Sequence, residues 1–160
     1  MRSTNALLRP AFIAVALAVL PLFAVTATPT LAKEAPVFSS TAEHIAVSGY
    51  DPVAYFVAGK PVKGDGRIST AYNGATWTFA SEANRALFVA DPAKYAPQFG
   101  GYCAWAVSQG YTASTDPNAW KIVDGKLYLN YSLEIAQKWK MDIPGNIAKA
   151  NANWPKVLDK

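Results

Sequence analysis

The sequence predicts a small α+β domain, and three observations lead to that class. The dipeptides Asn73-Gly74 and Asp124-Gly125 favour tight β-turns, and each separates two short β-prone segments, as in a β-hairpin. Segments with helical spacing follow each hairpin. No alternation of strands and long helices indicates a parallel sheet. Two β-hairpins packed with short helices and a carboxyl-terminal helical segment are therefore expected.

The first 32 residues are predicted to be a signal peptide. Arg2 and Arg9 supply positive charge, residues 11–25 form an apolar run, and small residues follow up to Ala32. We expect cleavage after Ala32, with Ala27 as the second choice. The apolar run is shorter than the roughly 20 residues of a membrane span, although an uncleaved anchor stays open as an alternative. The predicted location is the periplasm or the medium, with no membrane span left after cleavage.

Residues 33–43 are predicted to be a flexible lead-in, and residues 44–160 to be one domain. The full chain has 15 basic and 11 acidic residues, and two of the basic ones belong to the predicted signal. The remaining lysines are scattered, which argues against nucleic-acid binding because phosphate neutralisation needs clustered cations. The sequence shows no internal repeat.

The domain is expected to begin with a short β-segment at residues 45–47. Asp51-Pro52 then predicts the start of a one-turn helix, because Asp caps free amides and Pro fits the first helical position; a strand is the alternative. The same pair recurs at Asp91-Pro92 and Asp116-Pro117, where we expect tight turns or short helices.

Around Asn73-Gly74 we expect strands at residues 68–72 and 76–80, with Trp77 and Phe79 on one face. Ser81 is expected to cap a helix over residues 82–90, which the following Asp-Pro pair ends.

The second half is expected to repeat these kinds of element in a different order. Residues 100–110 predict a short buried helix between glycines, with a buried strand as the alternative, and residues 121–129 predict the second hairpin. Ser132 is expected to cap a helix that ends near residue 141, and Pro144 to open a last helix that ends near Pro155.

Several segments share a specific pattern, which resembles the YHS domain family. The matching residues are 49–56, 72–81, 100–104 and 124–131, together with Asn84, Phe88, Pro92 and Tyr95. The resemblance extends from about residue 44 to the carboxyl end.

The resemblance implies a scaffold related to domains in heavy-metal transport and resistance proteins. In those relatives, cysteines that could bind soft metals follow the Asp-Pro-Val element and frame the helix after the hairpin. Ala54, Ala80 and Asn84 hold the matching positions here. That metal site is therefore not carried over, and a different site is expected around Cys103.

Cys103 is the sole cysteine of the chain, and it lies in an aromatic segment. An odd cysteine in an exported protein is buried, reactive, ligand-bound or paired with another chain. The candidate ligand-binding residues are Cys103, Tyr102, Trp105 and Tyr50. The alternative interpretation is that Cys103 is a small buried hydrophobe without a chemical role.

His44 is the sole histidine, and it could pair with Cys103 in a copper or zinc site. Two ligands do not hold a tetrahedral ion, so Glu43, Asp51, a methionine or water would have to complete the shell. The alternative is a solvated histidine near the start of the domain. No catalytic residues are predicted, because no pair of side chains is accompanied by an orienting third group.

These observations predict an exported, non-enzymatic binding module of YHS type that holds a small ligand or a soft metal near Cys103. An interaction or structural domain with an inert Cys103 is the alternative, and its protein partner would be unknown. A thiol-based redox enzyme is less favoured because the chain has no resolving cysteine.

Overall fold

Two antiparallel hairpins interleaved with short helices make up residues 33–159, the part of the chain that this computed structural model describes. The predicted signal peptide, residues 1–32, lies outside the described residues. The strands are β1 (Asp65–Tyr72), β2 (Ala75–Phe79), β3 (Asp116–Val123) and β4 (Lys126–Asn130). The helices are α1 (Ala54–Val57), α2 (Glu82–Ala90), α3 (Pro92–Tyr95), α4 (Ala104–Ser108), α5 (Leu133–Lys140) and α6 (Ile143–Asn153). The predicted α+β class is confirmed.

Both predicted turns are present. The residues of Asn73-Gly74 and Asp124-Gly125 all have positive φ angles, as the mirror-image turn of a two-residue hairpin requires. The Ser81 and Ser132 hydroxyls cap α2 and α5 by accepting backbone N–H groups at 3.1 and 3.3 Å.

Two local predictions are corrected. Residues 45–47 were expected to form a strand, but they make isolated bridges and lead into a 3-10 turn at Val47–Gly49. Asp116-Pro117 was expected to mark a turn or short helix, yet it begins β3. Pro117 is tolerated there because the register of β3 is irregular between Asp116 and Trp120.

The prediction that the chain has no internal repeat is wrong. β3, β4 and the start of α5 follow β1, β2 and the start of α2 at a constant offset of 51 positions, for example Asp65 to Asp116. The register irregularity of β1 between Asp65 and Ser69 recurs in β3 at the same offset. We call residues 47–95 the first copy and residues 98–153 the second copy.

The aromatic packing of the two copies is also equivalent. Trp77 packs on Phe88 with ring centroids 5.0 Å apart and an interplanar angle of 33°. At the same offset, Tyr128 packs on Trp139 at 5.3 Å and 34°. Each pair joins the second strand of a hairpin to the helix that follows it, and each lies in a separate hydrophobic cluster.

The lead-in segment is bonded to the second copy and to the residues that follow it at the carboxyl end. Glu34 N–H donates to Leu158 O at 2.8 Å, and Phe38 N–H donates to Gly100 O at 2.9 Å. Lys33 Nζ lies 2.8 Å from a carboxylate oxygen of Asp159. A side chain at Gly100 would overlap the backbone of this segment, and Gly100 has a φ of +61°.

Asp51 connects the elements of the first copy. It is fully buried, and one of its carboxyl oxygens accepts the N–H groups of Val53 and Ala54, at 2.8 and 3.3 Å. The other oxygen accepts Ala80 N–H at 2.8 Å and the Asn84 Nδ2–H at 2.7 Å. This one side chain therefore holds the start of α1 to the end of β2 and to α2.

Replacement of Asp51 by alanine is expected to lower the free energy of unfolding by about 3 kcal/mol or more, because several buried donors lose their acceptor. Asp91→Ala is the matched control, since Asp91 also precedes a proline but caps a helix at an exposed position. That control should cost about 1 kcal/mol. Chemical denaturation followed by circular dichroism measures both values, and equal losses would contradict the connecting role of Asp51.

Candidate functional site

Cys103 lies immediately before α4 and is 1% exposed. Its sulfur accepts the N–H of Tyr131 at 3.3 Å. Its S–H points at Asn130 Oδ1 over a long distance of 3.9 Å. The thiol is therefore enclosed by the end of β4 but makes no strong hydrogen bond.

Cys103 makes the contact in the second copy that Asp51 makes in the first, although it lies 52 positions after Asp51, one more than the offset of the hairpins. Each residue precedes the short helix of its copy, and each accepts the N–H of the residue that follows the second strand of the hairpin, Ala80 or Tyr131. These two acceptors differ in strength, because a carboxylate binds N–H groups well and a thiol sulfur binds them weakly.

The surroundings of the two acceptors differ in the same direction. Asn84, which donates to Asp51, corresponds at the 51-residue offset to Ile135 on α5. The Asn84 amide therefore lies beside Asp51 and is hydrogen-bonded to it, whereas the apolar side chain of Ile135 lies beside Cys103. The second copy has no counterpart of the Asn84 amide at this place.

A cavity of about 200 Å³ lies beside Cys103 and Ile135. Its walls are almost entirely apolar, with the Cys103 thiol as part of the lining. Two tyrosines of the lining, Tyr111 and Tyr131, are 47% and 57% exposed and form the entrance. The lining residues are Cys103, Trp105, Ala106, Tyr111, Ala113, Tyr131 and Ile135.

Asn130 is a buried polar residue beside this cavity that the sequence did not single out. Its Oδ1 accepts the N–H of Trp105 at 3.2 Å as well as the Cys103 S–H. Its Nδ2 has no hydrogen-bond partner among the described residues, although the side chain is 1% exposed. The signal in the sequence was a polar residue at the end of a buried strand, where the first copy has Phe79.

Burial raises the pKa of the Cys103 thiol, and the N–H groups of Ala106, Tyr131 and Trp105 oppose that effect only in part. The thiol is therefore protonated near neutral pH, a form that is a poor nucleophile and a poor metal ligand. The geometry suits contact with a neutral apolar molecule better than thiolate chemistry.

The structure brings two of the predicted ligand-binding residues together, Cys103 and Trp105, in one cavity wall. Tyr102 lines a different cavity of about 290 Å³, and its hydroxyl donates to Ala35 O at 2.9 Å. Burial raises the pKa of Tyr102 to about 12. Tyr50 lies under the Lys63 ammonium group, 4.7 Å from the ring centroid, and lines neither cavity.

The predicted copper or zinc pair of Cys103 and His44 is not brought into one cavity. His44 is exposed and lines the cavity that contains Tyr102, whereas Cys103 lines the other. Over residues 33–159, no group of three or more His, Cys, Asp or Glu side chains could hold a metal ion. The metal pair stays a prediction that has no further ligand beside it.

The positions at which the resemblance implies cysteines do converge. Ala54 and Ala80 donate their N–H groups to Asp51, and Asn84 donates its amide to the same carboxyl group. In this chain, the carboxyl group of Asp51 therefore accepts a hydrogen bond from each of the three positions at which the resemblance implies cysteines.

The family model of the YHS domain matches residues 53–99, and over that segment the chain is similar to this family. The match covers α1 to α3 and most of the first copy, and it ends before Cys103. The resemblance noted from the sequence motifs extends beyond this segment, to residues 100–104 and 124–131. No curated protein and no solved structure matches the chain. Within residues 33–159, no helix has the length and apolarity needed to cross a membrane.

The raised pKa of Cys103 predicts a specific pH dependence of stability. Below the ordinary thiol pKa of about 8.5, the thiol is protonated in both the folded and the unfolded state. Above that value the unfolded state loses the proton first, so the free energy of unfolding should fall as pH rises, by at most about 1.4 kcal/mol per pH unit. Urea unfolding of the wild type and of Cys103→Ala between neutral pH and pH of about 10 measures the effect.

The Cys103→Ala variant controls for the tyrosines, which titrate in both proteins. The difference in stability between wild type and variant should therefore shift against the wild type as pH rises. A difference that stays constant over this pH range would show that the thiol pKa is not raised by folding.

Proposed function

We propose that the protein is an exported, non-enzymatic binding module that holds a small apolar ligand in the cavity beside Cys103. One observation carries this proposal. Asp51 and Asn84 are hydrogen-bonded to each other in the first copy, whereas an apolar cavity of about 200 Å³ lies beside their counterparts Cys103 and Ile135 in the second. The buried thiol of Cys103, whose hydrogen bonds are weak, adds a polarisable contact surface to the cavity wall.

The size of the cavity limits the ligand. A buried apolar cavity of about 150 Å³ is sufficient to bind benzene. The cavity at Cys103 therefore suits one ring or a short branched chain. Trp105 and the two tyrosines at the entrance would contact the faces and edges of such a ring.

The apolar walls favour a small organic ligand over a soft metal. Copper or zinc would need several ligands beside the sulfur, and the cavity lining contains no His, Asp, Glu or Met. The protonated thiol weakens the metal interpretation further, because metal binding requires the thiolate.

An interaction or structural domain with an inert Cys103 is the second candidate. The 1% exposure of Cys103 and the direction of its pKa shift favour it. A thiol-based redox enzyme has less support, since such enzymes need an accessible thiol of lowered pKa.

Toluene is expected to bind the wild type with a dissociation constant in the millimolar range or below, as measured by NMR titration of the Ala106, Ala113 and Ile135 methyl groups. Ala113→Leu should weaken this binding at least tenfold, because Ala113 is half-buried in the lining and a larger side chain fills the space. Ala83→Leu, at an exposed position of α2, is the matched control and should leave binding unchanged.

The outcomes separate the two candidate functions. Toluene binding that Ala113→Leu removes supports the binding module. If the methyl signals of the cavity do not move at saturating toluene, the cavity is not a binding site and the inert domain is favoured.

Export is part of the proposal and has its own test. When the full chain is produced in a bacterial host, we expect the protein to be found outside the cytoplasm with Lys33 as its first residue. Cell fractionation and mass spectrometry of the intact protein measure both. Retention of Met1 on a cytoplasmic protein would contradict export.

A further inference from the structure

A second cavity, of about 290 Å³, lies between the lead-in segment and the second copy. Most of its lining comes from residues between 34 and 41, and the rest from His44, Tyr102 and residues 112–114. The lining differs from that of the Cys103 cavity because it includes a carboxylate, an imidazole and several hydroxyl groups. Among the described residues that line it there is no Lys or Arg.

The carboxylate of this lining belongs to Glu34, and it has no cationic partner within residues 33–159. The neighbouring Lys33 is paired elsewhere, with its Nζ 2.8 Å from Asp159. The Tyr102 hydroxyl donates to Ala35 O at 2.9 Å and is 3.4 Å from a Glu34 oxygen. Glu34 therefore has one long hydrogen-bond contact, and its charge is not neutralised by the protein.

Two aromatic rings lie in the same lining. The Phe38 and Tyr102 ring centroids are 5.4 Å apart, and the ring planes are inclined at 56°. The carboxylate is close to this pair, since burial and then the charge of Glu34 raise the pKa of Tyr102 to about 12. A carboxylate beside inclined aromatic rings is an arrangement that attracts organic cations, because the ring faces carry negative potential.

The remaining polar groups favour a cation that donates N–H groups. The Thr112 and Ser114 hydroxyls have no hydrogen-bond partner within residues 33–159, so both can accept. An anion is disfavoured because it would meet Glu34 and no Lys or Arg. A bare metal ion is disfavoured as well, because Glu34 and His44 are the lining's two strong metal ligands and two do not complete a shell.

We propose that this cavity binds an organic ammonium ion, a primary amine on a short apolar chain. Its ammonium group donates N–H groups to the Glu34 carboxylate and to the Thr112 and Ser114 hydroxyls. The chain lies against Phe38 and Tyr102. This site is separate from the cavity beside Cys103, and the inference goes beyond the proposed function and does not rest on it.

The test compares three probes with the same five-carbon chain: pentylammonium, 1-pentanol and pentanoate. NMR titrations follow the methyl groups of Thr41 and Thr112, which line this cavity, and of Ile135, which lines the other. The pH is about 8, because imidazole is then neutral and an alkylamine is still protonated. Pentylammonium should move the threonine methyl signals with a dissociation constant in the millimolar range, 1-pentanol should bind there more weakly, and pentanoate should not bind.

Glu34→Gln removes the charge and keeps the shape of the side chain. The ratio of the dissociation constants of pentylammonium and 1-pentanol, compared between wild type and variant, cancels the difference in hydrophobicity between the probes. The preference for the ammonium ion should fall at least about threefold in this variant. Glu43→Gln is the matched control, since Glu43 is exposed and does not line the cavity, and it should keep the wild-type preference.

The wild-type titrations need no variant, so they decide even if a variant folds poorly. Equal affinities for pentylammonium and 1-pentanol, or no movement of the threonine methyl signals, would overturn the proposal. An equal loss of preference in Glu34→Gln and Glu43→Gln would overturn it too, since the effect would then be one of net charge. Movement of the Ile135 signal, in contrast, bears only on the proposed function.

Discussion

One hydrogen-bonding arrangement organises each half of this fold: a residue before a short helix accepts the N–H that follows a hairpin. Asp51 does this with Ala80, and Cys103 does it with Tyr131. The contact fixes the loop to the hairpin end, and the hairpin end in turn begins a serine-capped helix. The aromatic pair of each copy can then pack in the same way, because strand and helix already have a fixed relative position.

The two copies differ at that contact. In the first copy it stabilises the fold, and in the second it lies beside the candidate binding cavity. In the first copy a carboxyl group and an amide satisfy each other, which closes the position and makes it a stabilising element. In the second copy Cys103 and Ile135 take their places and Asn130 replaces Phe79. An apolar cavity lies beside Cys103, and the Asn130 Nδ2 has no hydrogen-bond partner among residues 33–159. A group that is poorly satisfied in a well-packed domain is the usual place to look for a ligand.

The sequence predicted the elements that depend on local chemistry. Turns at Asn73-Gly74 and Asp124-Gly125 and caps at Ser81 and Ser132 follow from backbone conformations that few residues allow. The duplication was not predicted, because the copies share mainly these turn and cap residues, while their core positions agree only in aromatic character. The Cys103 cavity was half predicted: Trp105 lies in the chain beside Cys103, but Asn130 and Ile135 reach it only through the hairpin and α5. Long-range contacts of this kind leave no local pattern in a single sequence.

The lead-in segment has a practical implication for engineering the molecule. Because Lys33 contacts Asp159 and Glu34 bonds to Leu158, the beginning and the end of the described domain lie side by side. A short linker would join them, and new termini at the exposed Asn73-Gly74 turn would yield a circular permutant. Conversely, affinity tags fused at both ends of this domain would crowd one small area of its surface.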